Sequence, residues 1–349
     1  MRAQLRLGPE NLAEYLKNRG LAGRREAVRV EEAGDGNINW VRRVRIGETG
    51  RTLVVKQARP ALERFPEYQV TTERAVFEAR YYEEIRPFDS VGICPQVLDF
   101  DEAERVLVLE DLGDAPRLDR VLAGEADSAR AAAAGEALGS FLGAVHAGTA
   151  ERPDLAARFA NDDMRRLHGD HIFALPFHAN EFALSPALRS RAEALWRDER
   201  AGALAADAYA LYLAPSGVLV HADVQGGNVL LQPDRPRLLD AEIAHAGDGA
   251  FDVGILLAHL AISAVAKRDS GRARPALERT WSAYAESRGR ARAPAFEEAI
   301  RYAGIELLRR TLGAARVAAV ADDAAGLAVV DLGLRWLKAP PARAAEAAA

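Results

Sequence analysis

Apolar positions along the chain fall into two regimes, strand-like before about residue 112 and helical after it. Residues 8–20 place Leu12, Tyr15 and Leu16 on one face and end at Gly20, which predicts a short amphipathic helix. Trp40–Ile46 and Arg51–Gln57 read as strands around Gly47-Glu48-Thr49-Gly50, a hairpin signal. Thr71 and Thr72 are N-cap residues for a helix over 71–85 that carries Phe77 and Tyr81. Residues 97–100 and 106–110 read as two further strands. Helical periodicity then takes over: residues 131–146 align Leu138, Phe141, Leu142 and Val145 on one stripe. The exception is 218–243, where β-branched and leucine runs return, before a mostly helical stretch over 250–338. The Ala- and Pro-rich tail, 339–349, is expected to be frayed or disordered. The element order predicts an α+β chain with a small β-rich part, 1–112, and a larger helical part, 113–338, with no internal repeat.

Composition narrows the class without choosing a chemistry. An apolar fraction of 49% and a charged fraction of 28% over 349 residues suit an ordinary globular protein with two sizeable cores. A net charge of −5 supplies no basic field, so no nucleic-acid partner is expected. The single cysteine, Cys94, excludes an internal disulfide and an all-cysteine metal site, and it fits a reducing cytoplasm. Residues 1–24 are charged and broken by Pro9, without the apolar stretch of a signal peptide. The apolar run 254–266 is short for a membrane span and holds His259, so it reads as a buried helix, with no membrane partner.

Candidate chemistry concentrates in Val218-Leu219-Val220-His221-Ala222-Asp223-Val224-Gln225-Gly226-Gly227-Asn228, a strand that delivers His-x-Asp into a glycine loop. Phosphoryl transfer to a hydroxyl needs a carboxylate that orients the hydroxyl and accepts its proton, and oxygen ligands for the metal on the phosphates. Asp223 suits the first task and Asn228, five residues on, suits the second; this is the spacing of the protein-kinase catalytic loop. A turn at Pro233-Asp234-Arg235-Pro236 would fold the following strand back and bring Asp240 close to Asn228. Asp240 and Glu242, two apart, would project to one side if extended, making a Mg²⁺ site. Each short motif alone is more often a solvated turn; the combination is what carries the reading.

The N-terminal part offers the nucleotide-binding counterpart. Gly34-Asp35-Gly36-Asn37-Ile38-Asn39 could turn its backbone N–H groups toward phosphates, although a plain hairpin turn has the same composition. Lys56, inside an apolar strand, is either an edge-strand lysine or the partner of Glu78 on the ATP phosphates; Glu73 competes with Glu78 but suits a capping role. The run from Val106 through Glu110 and Leu112 to Gly113 reads as the link between the two parts, with backbone placed for adenine.

Taken together, these motifs resemble the aminoglycoside phosphotransferase/choline kinase group of bilobal, protein-kinase-like folds and, within it, the S-methyl-5-thioribose kinases. The resemblance runs from residue 10 to about 320 and includes Val54-Val55-Lys56-Gln57-Ala58, Asp240-x-Glu242 in place of Asp-Phe-Gly, Gly249-Ala250-Phe251-Asp252-Val253-Gly254, and a late Arg309-Arg310 pair. It implies ATP and Mg²⁺ as cofactors, Asp223 as base, Asp240 and Glu242 as metal ligands, a sugar site that includes Arg309 and Arg310, and a homodimer. The acceptor it implies is the C1 hydroxyl of S-methyl-5-thioribose or a 5-deoxypentose. Two departures stand out: His-Ala-Asp replaces the common His-Gly-Asp, and Asn228 occupies a position where thioribose kinases often carry Ser. Aminoglycoside or amino-alcohol kinases, and a nucleotide-binding pseudokinase, remain alternatives. From the residues alone the Arg pair reads as a solvated helix face, and His168-Gly169-Asp170-His171 as an exposed polar loop. His146 is expected to cap or pack, Asp252 to hydrogen-bond the 221–223 backbone, and Trp40, Trp196, Trp281 and Trp336 to lie in the core.

Overall fold

The computed structural model describes residues 4–32, 39–48, 50–61, 69–124, 128–214 and 217–347. The backbone clusters into two compact units, one of 1–86 with 94–114 and one of 87–93 with 115–349.

The first unit is built on a five-stranded antiparallel sheet in the order β1-β2-β3-β5-β4: β1 (Val28–Glu32), β2 (Trp40–Ile46), β3 (Arg51–Gln57), β4 (Val97–Asp101) and β5 (Val106–Glu110). The β2–β3 hairpin forms as the Gly47–Gly50 signal predicts, in the register Trp40↔Gln57 to Ile46↔Arg51, with both glycines at positive φ. Helix α1 (Pro9–Asn18) buries Leu12 and Leu16 against Val44, Ile46, Leu53 and Val55. Strand β1, whose polar VRVEE run carries little apolar signal, is an element the sequence pattern did not single out. Helix α2 (Arg74–Ile85) starts three residues later than Thr71, with Glu73 at its N-cap. Buried Arg74 ties it to the sheet by donating to Asn39 Oδ1 (3.1 Å) and to the Arg59 carbonyl (3.0 Å).

The second unit is mostly helical: α3 (Leu118–Ala123), α4 (Ser128–Thr149), α5 (Asp154–Arg158), α6 (Asp162–Gly169), α7 (Pro186–Trp196), α8 (Glu199–Leu213), α9 (Gly249–Ala266), α10 (Arg274–Arg288), α11 (Phe296–Leu312), α12 (Asp323–Lys338) and α13 (Ala344–Ala347). Between α8 and α9 lie two small antiparallel sheets, β6 (Val218–Val220) with β9 (His245–Gly247), and β7 (Val229–Leu231) with β8 (Pro236–Leu238). Helix α9 is apolar nearly all round and long enough to cross a membrane, yet it is buried within this unit. Glycines set its distance from α11: a Cβ on Gly254 would sit 2.4 Å from the Ala299 carbonyl oxygen. Gly304 of α11 likewise meets Gly333 of α12, where a Cβ would come within 2.7 Å of the facing carbonyl. These contacts fix α11, which carries the Arg309-Arg310 pair.

Two sequence expectations are corrected. Residues 344–347 of the tail form a helical turn against α10 with Ala344 and Ala347 buried, because alanine methyls dock without large side-chain entropy loss. His168-Gly169-Asp170-His171 is helical rather than an exposed loop: α6 runs through Gly169 into a π-helical turn at Asp170–Ala174, and His168 is buried. Of the four tryptophans, Trp40 and Trp336 are buried and Trp196 and Trp281 are half-buried.

Candidate active site

Strand β6 ends at Val220 and the chain turns sharply, with Ala222 in the left-handed region at φ +66°. That conformation costs an alanine about 1–2 kcal/mol and explains why glycine is the easier residue here. Asp252, in the first turn of α9, holds the turn from below. Its carboxylate accepts the backbone N–H groups of His221 and Ala222, both at 2.8 Å, as the sequence predicted. His146 Nε2 donates to the same carboxylate (3.3 Å), and its Nδ1 meets the Tyr284 hydroxyl (3.1 Å). Burial alone would push Asp252 up; hydrogen bonding from His146 and the His221 N–H carries it below the usual carboxylate range. The His221 ring is fully buried, which lowers its basicity, and its Nδ1 accepts the Asp223 N–H (3.3 Å).

Above this support stands Asp223, half-buried. Its Oδ2 accepts from Asn228 Nδ2 (2.7 Å) and from Gln225 Nε2 (3.0 Å). Asn228 Nδ2 also donates to the Asp223 carbonyl (3.0 Å), so the amide's nitrogen end is committed to the loop and its oxygen is the end available to a cation. Oδ1 of Asp223 has no hydrogen bond among the described residues; His168 Nε2 stands 3.9 Å away. Burial, reinforced by nearby Arg309, pushes the His168 imidazole well below its usual 6.5 and keeps it neutral.

The β7–β8 hairpin brings Asp240 back beside Asn228, with the Leu239 N–H donating to the Asn228 carbonyl (2.9 Å). The expected extended Asp240-x-Glu242 is not what forms: Asp240 is left-handed at φ +72° and Glu242 lies in a turn. A short side chain such as Asp tolerates this backbone better than most. One carboxylate oxygen from each still lies within 4.8 Å of the other. Buried Asn161, which the sequence reading did not single out, braces the segment by donating to the Glu242 and Ala244 carbonyls (2.9 and 3.2 Å). Two hard oxygen donors at this spacing, beside the Asn228 amide, fit a divalent cation such as Mg²⁺.

Arg309 and Arg310 are buried, which overturns the solvated-face reading. Fully buried Glu306, one turn back on α11, accepts from Arg309 Nη1 (3.1 Å) and Arg310 Nε (2.5 Å). His259 of α9 completes the group, its Nε2 lying 3.1 Å from the Glu306 carboxylate. A carboxylate only accepts, so that nitrogen carries the proton. Burial opposes ionisation of Glu306, but the two guanidinium groups hold it well below its usual range. Arg310 Nη2 extends further and donates to Gln225 Oε1 (2.9 Å). Gln225 lies in the 218–228 run and His259 in the apolar run 254–266, while Glu306 carried no signal of its own; only the crossing of α9 and α11 reveals their connection.

In the first unit, β3 is the central strand, so Lys56 is no edge lysine. Its Nζ forms an ion pair with Glu78 (2.7 Å), and Tyr82 donates to the same carboxylate (3.2 Å). Glu73 is turned outward to Arg105. Glu110 pairs with Gln96 through backbone and side chain, and Leu112 is buried. Asn39 spends its Oδ1 on Arg74, while Gly34, Asp35, Gly36 and Asn37 lie outside the described residues.

A profile of the phosphotransferase enzyme family matches residues 29–296. The chain belongs to that family. It is 30% identical over 320 residues to a methylthioribose kinase of Geobacillus kaustophilus, covering 82% of this chain and 79% of the relative. It is 28% identical over 335 residues to a methylthioribose kinase of Bacillus cereus, covering 87% and 84%. Among solved structures, a choline/ethanolamine kinase family protein from Mesorhizobium loti matches with a TM-score of 0.53 at 17% identity, over 97% of this chain and 98% of its own. The phosphotransferase fold is therefore the kinase-like α+β fold predicted from the sequence, and the protein is a phosphotransferase acting on a hydroxyl group.

Proposed function

We propose that this phosphotransferase is an ATP- and Mg²⁺-dependent sugar kinase whose acceptor is the C1 hydroxyl of S-methyl-5-thioribose or a close 5-deoxypentose. The observation that carries the reading is Asp223: two amides occupy its Oδ2 and leave Oδ1 as the open acceptor. In this reading Asp223 orients the acceptor hydroxyl and takes its proton as the new P–O bond forms. Mg²⁺-bound ATP, when present, supplies the phosphoryl group and the cation that offsets its charge. Asp240, Glu242 and the Asn228 amide oxygen would hold the cation, and Lys56, fixed by Glu78, would contact the nucleotide's phosphates. The glycine-rich stretch at Gly34, Asp35, Gly36 and Asn37, with Asn39, and the Glu110–Leu112 backbone are proposed for the rest of the nucleotide. Arg309 and Arg310 are proposed to border the sugar.

The choice of a sugar over an amino alcohol is supported by charge. Two guanidinium groups against one carboxylate leave a positive surplus beside Asp223, which suits a neutral polyol better than a cationic choline-like or aminoglycoside acceptor. The two methylthioribose kinases named above point the same way. The experiment is ATP consumption by the purified protein with Mg²⁺ and methylthioribose, 5-deoxyribose, ribose, choline, homoserine or an aminoglycoside. Turnover with the furanoses, abolished by Asp223→Ala with ATP binding retained, is the expected result. Turnover confined to the amino compounds replaces the sugar reading, and ATP binding without any turnover replaces it with the pseudokinase.

A further inference from the structure

A chain of hydrogen bonds runs from the interior of the helical unit to Asp223: His259 to Glu306 (3.1 Å), Glu306 to Arg310 (2.5 Å), Arg310 to Gln225 (2.9 Å) and Gln225 to Asp223 (3.0 Å). Its first two links are buried, so the position of the Arg310 guanidinium is set by α9 and α11 rather than by solvent. Each link also dictates the next. A guanidinium can only donate, so the Gln225 amide must present its oxygen to Arg310 and its NH₂ to Asp223. The polarised amide is a stronger donor for that contact. Arg310 makes no ion pair with Asp223 among the described residues; the amide stands between the two charges.

We infer that Gln225 is a positioning residue that fixes the rotamer of Asp223 and couples it to Arg310. Asn228 and Gln225 approach the same oxygen, so together they decide which carboxylate oxygen is left for the acceptor hydroxyl. Asn228 alone, bonded also to the Asp223 backbone, pins one edge of the carboxylate; the Gln225 amide, bonded from outside the loop, fixes its rotation. The inserted amide delivers orientation from Arg310 without letting the guanidinium cover the carboxylate. This rests on Asp223 being the base.

The test is a double-mutant cycle on kcat with whichever alcohol the enzyme phosphorylates. Gln225→Met keeps the length and apolar stem and removes both polar ends. The expected result is a fall in kcat of about 10- to 100-fold, the scale of a misplaced reacting group. KM for ATP and for the acceptor should stay within about threefold, because ground-state binding is untouched. Arg310→Gln should lower kcat as well, and the double variant should be no slower than the slower single one, since both break one relay. Multiplicative losses, or a Gln225→Met enzyme with wild-type kcat, overturn the inference. So does a loss that appears equally in both KM values. Where Gln225→Met does not fold, Gln225→Asn, one methylene short of the span, is expected to give the same split and is judged by the same criteria. Asp223→Ala separates the two levels: an active Asp223→Ala enzyme removes the base assignment itself, whereas an inactive one beside a fully active Gln225→Met enzyme removes only the relay.

Discussion

Two fully buried carboxylates in the helical unit are neutralised in different ways. Asp252 is met by two backbone N–H groups of the 221–222 turn and by the His146 imidazole, and none of these contacts leads beyond the support of that turn. Glu306 is met by two guanidinium groups and one imidazole, so positive charge is left over. Asp252 therefore spends its charge on backbone shape, and its surroundings are closed. Glu306 organises cations whose remaining donors point onward, one of them to Gln225. The difference separates a carboxylate that builds the loop from one that sets the field around it.

The largest effect is expected from breaking the closed side. Asp252→Ala orphans two buried N–H groups and His146, and should cost about 3–5 kcal/mol of stability in denaturant unfolding. A loss under 1 kcal/mol would show that the loop does not depend on this carboxylate. The same group has an acid signature. Its folded pKa is lowered, so its contribution is present above its ordinary value near 3.8 and is lost as pH falls through the lower folded value. Asp252→Ala should accordingly flatten the acid side of the stability–pH curve, and an unchanged acid slope would contradict the charged assignment.

A smaller, differently shaped effect is expected on the open side. Glu306→Gln keeps the volume and one acceptor for the two guanidinium groups, so the loss is that of weakened charged hydrogen bonds, at a cost of about 1.5–3 kcal/mol. Because the deficit is positive charge, sulfate should raise the melting temperature of this variant more than that of the parent. Equal sulfate responses would mean that the guanidinium groups are not what is destabilised. The smallest effect belongs to Ala222→Gly. Relief of the left-handed backbone and the added entropy of glycine in the unfolded chain oppose each other, so stability should change by less than about 1 kcal/mol with turnover kept. A tenfold loss of turnover would show that the Ala222 methyl contributes to the site.

What was legible in the sequence follows the range of the interactions involved. Strands β2, β3 and β5 agree with their apolar runs to the residue, and the hairpin that returns Asp240 to Asn228 is local chemistry of Pro233–Pro236. The Lys56–Glu78 ion pair was legible because strand and helix succeed each other along the chain; Glu73 needed the structure to show it turned to Arg105. The left-handed Asp240 was not legible, since Asp enters αL backbone more readily than most residues but still prefers the extended and right-handed regions. The burial of Arg309 and Arg310 was hidden because a helical period cannot say what packs on a charged face. Gln225, which Arg310 meets, is 85 residues away from it, and His259, which meets Glu306, is 47 residues from that carboxylate, so no pattern within one element links them. His168 was misread for the opposite reason: a polar run resembles a loop until α6 is seen to carry it inward.

The crossing of Gly304 and Gly333 has a mechanical consequence. Where these two glycines meet, backbone lies against backbone with no glycine side chain to compress, so α11 and α12 are held there as one beam. Even a single methyl at either glycine would wedge the beam open and tilt the last turns of α11, carrying the guanidinium groups with it. Aim at Asp223 is thus set by a contact that bears no charge, makes no bond to ligand and lies more than one helical turn from the arginines it steers.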